Sequence, residues 1–94
     1  MALLFAWDPK KAAANLRKHG VSFEEAATAF GDPYSLTVPD PDHSATEQRY
    51  LLLGYSEAGR LLVVAHLEDA DQIRLITARV ATRHERRAYE EEAP

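Results

Sequence analysis

Five arginines, Arg74, Arg79, Arg83, Arg86 and Arg87, crowd the last third of a 94-residue chain whose formal charge is -4. Two of them interrupt an otherwise apolar run, Ile73-Arg74-Leu75-Ile76-Thr77-Ala78-Arg79. A charge inside such a run has to be paired or held at a sheet edge, because an isolated buried charge is very costly. In an acidic protein, this local density points to a dedicated anion site. A phosphate backbone is the large anion best suited to it, since the planar guanidinium fork makes two parallel contacts with phosphate. Counting by two along a strand places Arg74 with Ile76 and Ala78 on one face, and Arg79 with Ile73, Leu75 and Thr77 on the other. On that count the two arginines are separated. Arg74 then reads as a sheet-edge partner of Glu68. For Arg79 a ligand contact and an internal salt bridge stand equal.

Three other constellations could carry chemistry. Lys18-His19-Gly20 pairs a phosphate-binding cation with a side chain that exchanges protons near neutral pH. The plain reading is a helix end whose cations match the dipole. Glu47-Gln48-Arg49 puts a carboxylate and a guanidinium on one strand face, where the carboxylate could orient the arginine or serve as a base. The plain reading is a surface ion pair of little worth. Arg83, Arg86 and Arg87 share a helix face at i, i+3 and i+4, as solvated charge runs also do. His19, His43, His66 and His84 are scattered, and none shows the helical spacing of a zinc pair. No cofactor or metal is expected. The absence of cysteine rules out a thiolate nucleophile or a disulfide.

A hydrophobic content of 46% over 94 residues fits one small domain with a thin margin of stability. No run approaches a membrane span and the N-terminus lacks a long apolar leader, so the chain reads as cytoplasmic. The net acidity argues against avid nonspecific binding to nucleic acid. Cations gather over Lys10 to Lys18 and over Arg79 to Arg87, with acids between them.

The elements that must position these groups are legible from caps and patterns. Ala2 to Trp7 has strand length. Asp8-Pro9 opens a helix that Gly20 closes. Ser22 and Glu25 form a capping box for a second helix, with Phe23, Ala26, Ala27 and Phe30 on its core face. Tyr34 to Val38 suits a strand, and Pro39 to Ser44 a polar loop. Strands follow over Glu47–Gly54, Arg60–Leu67 and Gln72–Val80, the middle one apolar enough to be covered on both faces. Short turns make them an antiparallel meander. Thr82 and Glu85 cap a last helix to about Glu91. The expected fold is α+β: a single antiparallel sheet of about four to five strands, two N-terminal helices and one C-terminal helix, all in one domain over 1–94.

In order along the chain, these pieces resemble the BrnT toxins of bacterial type II toxin–antitoxin systems. The resemblance rests on Trp7-Asp8-Pro9-Lys10, Asn15, Lys18-His19-Gly20-Val21, Phe23 to Ala26, Phe30 and Asp32-Pro33. It continues through His43, Glu47, Arg49, Gly54 and Arg60 to Val64, and closes on Arg74, Ile76, Ala78-Arg79, Ala81-Thr82, Glu85-Arg86 and Tyr89-Glu90. It implies a RelE-like ribonuclease fold, RNA cleavage that halts translation and growth, and neutralisation by a BrnA-like antitoxin with a ribbon-helix-helix DNA-binding domain. Operator DNA would be reached only through that antitoxin, and no membrane partner is implied. Two positions depart from the family pattern: Thr77 replaces a common serine, and the turn Glu68-Asp69-Ala70-Asp71 is acidic where relatives often carry Glu-Arg-Gly.

With that resemblance, the residues suggest metal-independent cleavage by the RNA 2′-OH. His19 and Glu47 would move protons. Lys18, Arg49 and Arg79 would bind phosphate and stabilise the charged phosphorane, and Arg83 and Arg86 would steer the backbone. The competing reading is a non-catalytic binding module that joins a DNA-binding antitoxin in an autorepressor complex, its arginines pairing with acidic antitoxin residues.

Overall fold

The computed structural model describes residues 3–42 and 48–92. In chain order the elements are β1 (Leu4–Ala6), α1 (Pro9–His19), α2 (Phe23–Thr28), a 3-10 turn (Ala29–Gly31), β2 (Leu36–Pro39), β3 (Arg49–Tyr55), β4 (Leu61–Asp69), β5 (Gln72–Val80) and α3 (Arg83–Glu92). One five-stranded sheet runs β1-β5-β4-β3-β2. Strands β2 to β5 pair antiparallel, but β1 lies parallel to β5, with Phe5 opposite Ile73. The sheet is therefore mixed, not the purely antiparallel one expected. The physical reason is the chain's path. After β5 folds back on β4, its free edge is open, and the short N-terminal strand fills the first part of that edge.

The core lies on one face of the sheet. Val21, Phe23, Ala26 and Ala29 pack on Leu52, Leu62, Val64, Leu75 and Ala78. This contact is close: a Cβ added at Gly54 would meet the carbonyl oxygen of Ala29 at 2.9 Å. Central strand β4 buries six residues in a row, Leu61 to His66. Val63 and Ala65 belong to the opposite face, which α3 partly covers. Tyr89 anchors α3 there by donating its hydroxyl to Asp32 Oδ2 at 2.6 Å and stacking edge-on against Tyr55. Asp32 also accepts the N–H groups of Tyr34 and Tyr55 at 2.9 Å. Burial pushes the Tyr89 phenol up to about 12, reinforced by the Asp32 carboxylate.

β5 contains a bulge. Ala65 pairs with Thr77 and His66 with Leu75, which leaves Ile76 as an extra residue. A bulge resets the alternation of side chains. Leu75 and Ala78 both enter the core, so Ile76 and Thr77 sit side by side on the opposite face. The count by two fails at this point: Arg74 and Arg79 share that face with Ile76 and Thr77. The partner of Arg74 also differs from expectation, being Asp69 at 3.9 Å, an exposed and weak pair.

Candidate active site

Helix α1 is set against the free edge of β5. Asp8 caps it, accepting the Lys10 N–H at 2.9 Å, and Gly20 ends it in the left-handed conformation at φ 68°. Asn15, in mid-helix and 6% exposed, fastens it to the sheet. Its Nδ2 donates to the carbonyls of Ala78 and Val21 at 2.9 Å, and its Oδ1 accepts the Ala78 N–H at 3.1 Å. The side-chain amide thus acts as one more rung of ladder on β5, beyond the reach of β1. Arg60 secures the far end of the helix by donating to the Gly20 carbonyl at 3.0 Å while its fork grips Glu25. The hydrogen bonds from Arg60, joined by one from Ser56, hold the Glu25 carboxyl below its ordinary range against the opposing effect of burial. The capping box at Ser22 is consequently only half formed. Ser22 Oγ accepts the Glu25 N–H at 3.0 Å, but the Glu25 carboxylate is committed to Arg60.

Held this way, α1 turns Lys11, Lys18 and His19 toward Ile76 and Thr77, and these residues line one shallow opening. A second opening on the sheet face is lined by Arg49, Arg79, Asp40 and Asp42, with Leu51 and Ala65. Ile76 and Thr77 line this one too. The two openings therefore share a wall, and that wall is the bulge. Cations from α1, β3 and β5 converge on one ledge although they are distant in sequence.

Arg79 is constrained within it. Its fork engages Glu85 through two contacts of 2.8 Å. Glu85 also completes a capping box with Thr82, accepting the Thr82 N–H at 2.8 Å while Thr82 Oγ1 accepts the Glu85 N–H at 3.2 Å. The Arg79 hydrogen bonds, then the Thr82 N–H, hold the Glu85 carboxyl down at about 2 despite partial burial. With its side chain 38% exposed, Arg79 still presents an edge to the opening.

The remaining candidates lie elsewhere. Arg83 and Arg86 line neither opening. Arg83 is exposed in the first turn of α3, and Arg86 donates to Tyr55 Oη at 2.9 Å. Tyr55 ends the strand that Arg49 begins, about 20 Å away at the usual rise per residue. Glu47 and His43 are outside the described residues. His66 is a core histidine, 5% exposed and packed between Phe30 and Tyr50, and burial lowers its pKa. Among the described residues, no three His, Asp or Glu side chains gather as a metal site requires.

Lys11, Asn15, Asp40 and Thr77 carry no role in the sequence reading. Asn15 had a readable signal, since asparagine is a poor mid-helix residue unless its amide is used. Thr77 had none, because nothing in its neighbours marks the bulge.

A family model described as "Ribonuclease toxin, BrnT, of type II toxin-antitoxin system" matches residues 7–85. The chain belongs to the BrnT family. The matched span takes in α1, both openings and Glu85. Among solved structures, the 1.1 Å crystal structure of the Brucella abortus ribonuclease toxin BrnT is similar to this chain. Its TM-score is 0.67 at 18% identity, covering 87% of this chain and 100% of that one. At that identity the likeness establishes a shared fold. No match was found among curated proteins. Membership in BrnT implies endoribonuclease activity and an antitoxin partner. No helix among the described residues is long and apolar enough to cross a membrane.

Proposed function

We propose that this BrnT protein cleaves RNA at the ledge formed by Ile76 and Thr77, without a metal ion, by attack of the 2′-OH on the adjacent phosphorus. The observation that carries the reading is the shared wall: Lys11, Lys18 and His19 reach it from one side, Arg49 and Arg79 from the other. A phosphate seated on the ledge meets positive groups on both flanks, as a developing phosphorane requires. Lys18, Arg49 and Arg79 stabilise that charge. His19 protonates the leaving 5′ oxygen, and Glu47, on the stretch leading into Arg49, is a candidate base. Arg83 and Arg86 attract the backbone at longer range, in a salt-sensitive way. The consequence in the cell is arrest of translation and growth, relieved by a BrnA-like ribbon-helix-helix antitoxin that alone contacts operator DNA. A RelE-like fold and a cytoplasmic location belong to the same reading.

The binding-module reading draws on one observation, the closure of Arg79 on Glu85 within the chain. Expression without antitoxin separates the two. The nuclease reading expects growth arrest, RNA decay, and purified cleavage in chelator that leaves 2′,3′-cyclic phosphate ends. Harmless expression with tight antitoxin binding supports the module instead.

A further inference from the structure

Asp40 stands directly after β2, on a loop that reads in sequence as merely polar. It is nevertheless only 6% exposed, and it lines the second opening together with Arg49, Thr77 and Arg79. Its backbone N–H donates to the Arg49 carbonyl at 2.8 Å, extending the β2–β3 ladder by one rung. Its Oδ1 accepts the Asp42 N–H at 3.1 Å, closing an Asx turn. The carboxylate is thus mounted on a fixed stem. A carboxylate withdrawn from water requires nearby positive charge or hydrogen-bond donors, and two arginines share its opening. Asp42 lines the same opening but is exposed.

We propose that Asp40, in place of Glu47, is a catalytic residue, the group that takes the 2′ proton. The proposal deepens the ribonuclease reading and rests on it. The 2′ oxygen forms a bond to phosphorus as its proton passes to the Asp40 carboxylate. The phosphorus–O5′ bond breaks, and the 5′ oxygen takes a proton from His19. The products are a 2′,3′-cyclic phosphate and a 5′-hydroxyl. Asp40 is left protonated and His19 deprotonated, and exchange with water restores both. During the attack, negative charge moves from Asp40 onto the phosphorane inside one opening, so the arginines face a charge that shifts position without growing. Preorganised cations stabilise such a step at little reorganisation cost.

The test uses the full chain with Asp40→Asn, which keeps the volume and the Oδ1 acceptor of the Asx turn. On an RNA oligonucleotide, kcat should fall about 10²–10⁴-fold, the range for a lost general base. Binding of the 2′-deoxy oligonucleotide of the same sequence should stay level or tighten, because a negative charge has left the phosphate's surroundings. Asp40→Glu, which keeps a carboxylate, should recover about tenfold over the asparagine variant. It serves as the readout if asparagine disturbs the loop. Native kcat in Asp40→Asn overturns the proposal. So does weakened deoxy binding in proportion to kcat, which would make Asp40 only a prop for Arg49. A native protein that does not cleave RNA at all overturns the underlying reading, and the unsubstituted control shows this before any variant is compared.

Discussion

Replacing Asn15 with leucine should be among the most damaging single changes in this protein. The two side chains share one branched heavy-atom skeleton, so lost hydrogen bonding dominates the effect, with some overpacking from the bulkier methyl groups. Three bonds of 2.9, 2.9 and 3.1 Å disappear, and the Val21 carbonyl and both backbone groups of Ala78 lose a partner. Ala78 is fully buried and Asn15 nearly so. A net hydrogen bond contributes about 1 kcal/mol, and an orphaned buried polar group costs about 1–3 kcal/mol. Three orphaned groups toward the lower end of that range give roughly 3–5 kcal/mol, against a typical total of about 5–15 kcal/mol. For a domain of this size each kcal/mol moves the thermal midpoint by about 4–8 °C, so the loss should be roughly 12–40 °C. Circular dichroism melts and urea titrations measure it directly. Because Asn15 also aims Lys18 and His19 at the bulge, RNA cleavage at a temperature where the variant is still folded should fall as well. A midpoint within about 5 °C of native would mean that water replaces the amide at little cost, and the account of how α1 is positioned would be wrong.

Two further predictions follow from strain and charge. Ala70, in the β4–β5 turn, is the non-glycine residue with positive φ among those described, at 56°, so Ala70→Gly should raise stability by about 0.5–1 kcal/mol in denaturant titration, and a decrease would contradict the turn geometry. Glu85→Gln should lower stability at neutral pH and flatten its dependence in acid. The carboxyl is held at about 2, down from the ordinary glutamate value of 4.5, so its contribution is whole above about 4.5 and fades as pH falls toward 2. Proton linkage allows about 3 kcal/mol at most, and solvent screening of the half-open pair reduces this to about 1–2 kcal/mol. Equal acid slopes for native and variant would contradict the Arg79–Glu85 assignment.

The parts of this fold that were legible in sequence are those set by local chemistry. Asp8-Pro9 and Gly20 delimit α1, and Thr82 with Glu85 starts α3, because caps satisfy backbone groups within a few residues. Three facts that make the site are not local. β1 is three residues long, and its parallel partner lies at the other end of the chain, so no turn announces the pairing. The bulge at Ile76 inserts a residue into an alternation that otherwise looks regular. It reverses the face of every residue beyond it, which is why Arg74 and Arg79 seemed separated. Tyr89 meets Asp32 across most of the sequence. The cationic character of the site was readable from residue types, and its assembly depended on that one extra residue in β5.

The central claim is that α1 and the sheet act on a single phosphodiester. A double-mutant cycle on RNA cleavage with His19→Ala and Arg49→Ala addresses it directly. If both groups serve one transition state, each single change should cost about 10²–10³ in kcat/KM, and the double variant should be little worse than the poorer single. Penalties that multiply in full would place the two residues in independent roles, and single variants that retain native rates would remove the ledge as the site of cleavage.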